Sequence, residues 1–348
     1  MNAHLRANLW LLGLTVLICC VLYPLTLWAI GQGVFPDKAS GSLVMDKDGK
    51  PIGSRLIAQP FTSAAPEYFQ PRPSAASYNG AASGAYNYGA NNPKLRYRVA
   101  QTLGPLVKYR SGPKKDKLAG PDIEKWFQQD RFKGEPHLVA QWAERYPSSA
   151  QEWAKDKLNG EFVRAWQNLH PKEAEEWLKK QKISEPKPED LAEPFFVSWS
   201  HRFPGSWPGT VEKKTPDGKT GKHIDQVTED TSIQANFFDM WLQDHPDVEL
   251  VEVPADLVMA SGSGLDPHIT LKNALYQLDR VVEAWAKKTG AQPAEVGTVI
   301  ENLLKQNASA PFGGLAGVEL INVLEVNLKL ADAMKGISKK TGGNGGPA

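Results

Sequence analysis

The chemically suggestive residues of this chain gather in one stretch, Val253-Pro-Ala-Asp-Leu-Val-Met-Ala-Ser-Gly-Ser-Gly-Leu-Asp-Pro-His-Ile269. Ser261-Gly-Ser-Gly264 superficially suggests a nucleophile elbow, the turn that presents a serine hydroxyl for attack. The spacing argues against it. A nucleophile elbow places glycine two residues before and two after the serine. Around Ser263 those positions hold Ser261 and Leu265; around Ser261 they hold Met259 and Ser263. What Ser261, Gly262, Ser263 and Gly264 do allow is close approach of another backbone, with loop amides and hydroxyls able to bind an anion or a partner carbonyl. The blander reading is a strand-to-helix connection in which Asp266 or Thr270 caps the helix. The residues alone leave both open.

Other chemistries fail on spacing or composition. Gly218-Lys219-Thr220 ends like a phosphate-binding loop, but the glycine required five residues before Gly218 is Lys213. The seven histidines are scattered and none falls in an HxxxH or HExxH pattern, so no metal site is expected. Cys19 and Cys20 are the only cysteines and are adjacent, which excludes a four-cysteine zinc site, a CxxC redox pair and a disulfide framework. Lysine plus arginine is 40 against 39 aspartate plus glutamate, a net charge of +1 without the basic excess of a nucleic-acid binder. The carboxylates of 111–245 read as a solvated helix face, not an acid/base pair. No catalytic residue is assigned.

The elements that position the loop begin with a membrane anchor. No charged side chain occurs from Ala7 to Pro36, and Leu9 to Ile30 is almost unbroken in its apolar character. A helix of that length spans about 33 Å, enough for a hydrocarbon core of about 30 Å. Trp10 and Trp28 lie near its ends, where indoles favour the headgroup layer. Gly13 and Pro24 are tolerated in such helices and can kink them. A cleaved signal peptide has a shorter core. Residues 1–8, with the lone Arg6, precede a single long translocated part, which favours a cytoplasmic N-terminus and an extracytoplasmic bulk.

After the span, 31–110 is rich in glycine and proline. Gly41 to Met45 and Ile52 to Ile57 flank the turn pair Asp48-Gly49 and predict a hairpin. Pro93 opens a helix carrying Leu95, Val99, Leu103 and Leu106. Residues 111–247 hold eight of the eleven tryptophans, and Val139–Lys157 repeats at Val163–Gln181 with seven of 19 positions identical. Trp-x-x-x-x-Pro recurs at Trp142, Trp166 and Trp241, each predicting a helix end, a tight turn and a helix opened by proline. Tryptophans at helical spacing pack cores more often than they form carbohydrate platforms. Pro186–Pro194 and Pro204–Gly221 read as connecting loops. In 248–334, Asp256–Met259 reads as a strand, Thr270 caps a helix bearing Leu271, Leu275, Leu278, Val282 and Trp285, Pro293 opens another, and Ile321–Leu330 leans helical with Asn322 near its start. Residues 335–348 read as a disordered tail. The fold class is a single transmembrane helix, residues 9–30, plus a mixed α/β extracytoplasmic domain carrying an α-helical insertion.

Four stretches in order resemble the C subunit of the potassium-transporting P-type ATPase, the KdpC family. They are the span ending at Tyr23-Pro24-Leu25; Gly53-Ser-Arg-Leu-Ile-Ala-Gln59 with Tyr68-Phe-Gln-Pro-Arg-Pro-Ser74 and Tyr78-Asn79; the loop from Val253 to Ile269; and Ile321-Asn-Val-Leu-Glu-Val-Asn-Leu-Lys-Leu330. The family's usual Ser-Asn-Leu-Gly-Pro-Thr-Asn-Pro reads Tyr86-Asn87-Tyr88-Gly89-Ala90-Asn91-Asn92-Pro93 here, Met259 replaces a common threonine, and 111–247 lies outside the short pattern.

The resemblance implies a non-catalytic accessory subunit in the bacterial inner membrane. Its partners would be a channel-like A subunit that passes K⁺, a B subunit that hydrolyses ATP, and a small F subunit. Nothing is bound covalently, and ATP enters at the level of the complex. The family role is a catalytic chaperone that raises ATP affinity of the B subunit. An extracytoplasmic domain cannot touch cytosolic nucleotide, so coupling is allosteric or the domain acts at the outer mouth of the K⁺ path. Residues expected in partner contact or local architecture are Arg72, Pro73, Asn79, Ser261, Gly262, Ser263, Gly264, Asp266 and His268. The rival readings are an anchored serine hydrolase using Ser263 or Ser261, and a glycan-binding scaffold built on the tryptophans.

Overall fold

The structure, a computed structural model, describes residues 2–61, 65–214, 220–315 and 317–342. Gly218 and Lys219 of the rejected phosphate-loop match lie outside the described residues, as do 343–348 of the expected tail.

One apolar helix, Ala3–Val34, is long enough to cross a membrane, and none of its hydrophobic window is buried in the protein. It is not a uniform α-helix. Asn2–Val16 and Tyr23–Val34 are α-helical, and Leu17–Leu22 between them is π-helical. Pro24 supplies the reason: it has no N–H for the carbonyl of Cys20, and a wider turn before a proline absorbs the missing bond. Trp10 and Trp28 are both exposed near the two ends.

The chain forms two compact units, residues 1–87 with 254–348, and residues 88–253. In the first, a short helix, Pro36–Ala39, leads into the expected hairpin, Leu43–Met45 paired antiparallel with Pro51–Ser54. The strand stops at Ser54, short of the expected Ile57. The core is helical. Leu271–Thr289 packs on Pro293–Asn307 and Val323–Gly342, burying Phe69, Ile269, Val281, Trp285, Ile300, Leu304, Val326 and Leu330. Thr270 caps the first of these, its hydroxyl accepting from the Asn273 amide at 3.0 Å. His268–Thr270 and Leu320–Asn322 pair as a small antiparallel ribbon across the helix starts.

Two expectations about this unit are corrected. Residues 255–258 form one helical turn, not a strand. Asp256 makes the turn useful: its carboxylate accepts from the Thr270 amide at 2.7 Å, the Thr270 hydroxyl at 3.1 Å and the Asn273 side chain at 3.0 Å. The tail begins later than expected, since the last helix runs to Gly342 and buries Met334 and Ile337. That apolar pair continues the stripe of Val323, Val326 and Leu330 at helical spacing.

The second unit is mainly helical around an aromatic core. Trp142, Phe127, Phe195, Phe196, Trp207 and Phe237 are each less than 2 % exposed. Trp142 meets Trp207 edge-on at 4.9 Å and donates its indole N–H to the Tyr97 hydroxyl at 2.7 Å. Burial of each such ring contributes roughly 2–3 kcal/mol. The Trp-x-x-x-x-Pro motif sets one repeated turn. Tyr146, His170 and His245 precede the prolines at φ near −125° and donate their amides to the carbonyls of Trp142, Trp166 and Trp241. A proline opens the next helix at Pro147 and Pro171, but none starts at Pro246. A fourth instance, Trp199–Pro204, ends a helix the same way. The segment 204–221 is not a loop: Trp207–Lys214 and Thr220–Val227 form a long hairpin. Its first strand, Trp207-Pro-Gly-Thr-Val-Glu-Lys-Lys214, buries its start and exposes its end. Residues 186–194 likewise contain a 3₁₀ turn, Pro188–Leu191, that runs straight into a helix at Ala192.

Candidate functional site

The signature residues of the first unit meet where two loops interlock, 72–84 and 259–268. Arg72 donates from Nε to the Met259 carbonyl and from a terminal nitrogen to the Ala260 carbonyl, both at 3.3 Å, and stands 3.9 Å from the Asp266 carboxylate. Ser74 donates its hydroxyl to the Gly264 carbonyl at 2.5 Å while accepting from the amides of Ala76 and Tyr78. In return the Gly84 amide donates to the Ser263 carbonyl at 2.9 Å. Gly264 sits at φ +69°, and a Cβ there would lie 2.7 Å from the Gly84 carbonyl oxygen and 3.2 Å from Ala76. This glycine is required twice, by its left-handed backbone and by the neighbouring strand of chain.

Both serine hydroxyls are consumed inside the loop. Ser263 Oγ accepts from the Leu265 amide at 3.1 Å, and Ser261 Oγ lies 3.4 Å from both Ser263 Oγ and the Asp266 amide. His268 points its Nδ1 to Asp266 Oδ1 at 3.0 Å, and the same oxygen accepts the His268 amide. That pairing holds the Asp266 carboxyl below the usual carboxylate range, with Arg72 adding a weaker pull. Among the described residues, no hydrogen bond joins His268 to either serine. The arrangement is a braced knob without a base on its hydroxyls, and the hydrolase reading has no support from it. Gly262 is exposed at the tip with open space around it.

Two expected residues take lesser places. Asn79 is exposed and closes a local turn, accepting the Ala81 amide on its side chain. Pro73 is half-buried and keeps the chain extended between Arg72 and Ser74.

The residues that hold the first loop to the core escape sequence reasoning. Among the described residues, the extended segment before Arg72 has no strand partner. Side chains take that role. Asn327 accepts from the Phe69 amide and donates to its carbonyl, both at 2.9 Å, and Gln277 does the same for Gln70 at 2.8 and 3.1 Å. Arg280 donates to the carbonyls of Pro66 and Tyr68 and to the Gln277 side chain. Asn327 is 1 % and Gln277 6 % exposed. Their signal is present in the pattern: each is an amide flanked by apolar residues on a buried helical stripe, Gln277 between Ala274 and Val281, Asn327 between Val323 and Leu330.

In the second unit the tryptophans are core. Trp126, Trp142, Trp166, Trp199, Trp207 and Trp241 are all at most 8 % exposed, and Trp153 and Trp177 are half-buried against them. No open aromatic platform for a glycan is left among these six. Asp239 is buried there and accepts from Arg96 at 2.8 Å and Tyr146 at 2.6 Å, with Arg145 at 3.7 Å; a carboxylate so surrounded is a structural anchor. Among the described residues, no group of three or more histidine, cysteine, aspartate or glutamate side chains could hold a metal ion.

A family model described as the K⁺-transporting ATPase c chain, KdpC, matches residues 5–121 and 219–332. Those segments take in both interlocked loops, the long apolar helix and the amides that clamp residues 69–70. The unmatched stretch, 122–218, is narrower than the expected insertion of 111–247, since the match takes in 111–121 and 219–247 as well, and it falls inside the second unit. Curated relatives named potassium-transporting ATPase KdpC subunit include one from Methanosphaerula palustris, 46 % identical over 30 % of this chain and 56 % of its own length. KdpC subunit 2 of Staphylococcus aureus is 44 % identical over 28 % of this chain and 57 % of its own. The Pseudomonas syringae pv. tomato subunit is 44 % identical over 32 % and 58 %. The chain thus spans a little over half the length of the curated relatives it matches.

Proposed function

This chain belongs to the KdpC family, and from that premise we propose that it is a non-catalytic accessory subunit of an ATP-driven K⁺ import complex. The observation that carries the reading is that the family match takes in the interlocked loops, whose polar groups are spent on holding shape. A rigid knob with an exposed glycine at its tip suits docking, not turnover.

In this reading one membrane span carries an extracytoplasmic body that assembles with a channel-like A subunit, an ATP-hydrolysing B subunit and a small F subunit. The body tunes ATP use from outside, at the outer mouth of the K⁺ path, and ATP itself binds elsewhere in the complex. Residues 122–218 are an insertion in the family pattern, folded as part of a helical unit with its own aromatic core. The test uses the assembled complex. Gly262→Trp projects a large ring from a position where an added Cβ meets nothing within 4 Å, so the subunit folds. Co-purification of the other subunits, or K⁺-stimulated ATPase activity, is expected to fall. Normal assembly together with normal turnover in both Gly262→Trp and Ser263→Trp would remove the loop from the docking surface.

A further inference from the structure

We propose that the first hairpin, Leu43–Met45 with Pro51–Ser54, lies in the headgroup layer of the bilayer and sets the height of the soluble body above it; this rests on the membrane-span reading of Ala3–Val34. The observation is a hairpin with its polarity reversed. A two-stranded ribbon with one face on a protein body ordinarily turns polar side chains outward. Here the inward face carries Gly53, where an added Cβ would strike Gln59 and Leu324, the latter on the last helix. The outward face carries Leu43 and Met45, two residues apart on one strand, and they are 40 % and 51 % exposed. Ile52, the extra residue where the register shifts between the Val44–Gly53 and Met45–Pro51 pairs, is 38 % exposed. Leu56 follows at 61 %. A contiguous exposed apolar patch marks a surface that something apolar covers.

What covers it is set by where the hairpin is tied. Val34 and Phe35, exposed at 62 % and 53 %, end the span. One short turn later, Asp37 accepts the Ser42 amide on its carbonyl at 2.8 Å and pairs its carboxylate with Arg55 at 3.2 Å. Arg55 also donates its amide to the Ser42 carbonyl. The hairpin is therefore fixed to the first turn after the span, at the depth where hydrocarbon gives way to headgroups. Arg55 reaches on to Glu325 at 2.7 Å, and Asn322 donates to the Arg55 carbonyl, so the last core helix is fastened to the same point. The local charges nearly cancel: Lys38, Lys47, Lys50 and Arg55 stand against Asp37, Asp46 and Asp48. Insertion would thus be apolar, not driven by anionic lipid.

The test is site-directed spin labelling of the full chain within the assembled complex in lipid nanodiscs, with Cys19→Ala and Cys20→Ala removing the native thiols. Nitroxides are placed at Leu43→Cys and Met45→Cys, at Lys47→Cys in the turn, and at Leu17→Cys in the span. These sites are exposed in the fold, so labelling leaves the core intact. The expected result is relaxation of the Leu43 and Met45 labels by dissolved oxygen with loss of relaxation by a water-soluble nickel chelate, while Lys47 keeps both. Nickel access at Met45 with exclusion at Leu17 overturns the proposal alone. Nickel access at Leu17 overturns the span reading, and the proposal with it. Protection of Met45 from both reagents overturns it in favour of a protein neighbour.

Discussion

Replacement of Gly264 by alanine tests the interlock most directly. Two costs add. A non-glycine residue at φ +69° loses about 1–2 kcal/mol to its left-handed backbone. The new methyl would also stand 2.7 Å from the Gly84 carbonyl oxygen, which is main chain and cannot rotate away. Relief requires the loops to part, and the bonds from Gly84 and Ser83 to the Ser263 carbonyl go with them, at about 1 kcal/mol each. The sum is about 3–4 kcal/mol. Gly290→Ala is the internal control. It has nearly the same φ, +72°, at the end of the 271–289 helix, with nothing within 4 Å of an added Cβ, and should cost only about 1 kcal/mol. Native-state hydrogen exchange on peptides from 320–334 reports opening of the first unit without interference from the second. Gly264→Ala is expected to lower protection there by roughly 150- to 1000-fold, and Gly290→Ala by about 5-fold. Equal losses in the two variants would show that the loops do not press on one another, and the argument for a braced docking surface would fail.

Asn327→Leu keeps the volume of a core side chain but leaves the Phe69 amide and carbonyl unpaired; a loss of about 2–6 kcal/mol is expected, with faster exchange of the Phe69 amide as the specific sign. Asp266 has a depressed carboxyl pKa in the fold, so its pairing with His268 and Arg72 stabilises the first unit above the unfolded value near 3.8 and is lost as pH falls through the lower folded value. Asp266→Asn should flatten the acid limb of a stability-versus-pH curve below about pH 4 and leave the neutral plateau lower than wild type; an unchanged limb would remove Asp266 from the brace.

Much of the first unit is legible in its residues. The uncharged run from Ala7 to Pro36 is a helix long and apolar enough to cross a membrane, and a helix is the form in which each backbone group is satisfied within the segment. Thr270 and Pro293 announce their helices through local hydrogen-bonding chemistry, and Asp48-Gly49 announces its hairpin. The candidate loop stands out by composition, since Ser261, Gly262, Ser263 and Gly264 have little other use. Expectation and structure part where local preference is outvoted. One turn illustrates this: the apolar Leu257 and Val258 suit a strand, yet Asp256 must reach Thr270 and Asn273, and a helical turn puts it there. Likewise the Pro-rich start of 204–221 masks a ribbon whose second strand, Thr220–Val227, lies almost wholly beyond that segment.

Residue types and their order, by themselves, determined the long apolar helix, the helix caps, the aromatic core of 88–253 and the stretch worth watching, because all of these follow from hydrophobicity and bonds between near neighbours. Only the tertiary structure decided what the loop can do. Whether Ser263 is a nucleophile or a brace depends on what its hydroxyl touches and how the loop is held, and the loop is held by contacts joining positions 180 residues apart, such as Ser83 and Ser263. The same holds for Asn327 and Gln277, which stand in for a missing strand across gaps of 258 and 207 residues. Long-range pairing of this kind leaves no periodic trace in either segment alone, only an amide flanked by apolar residues on a buried stripe.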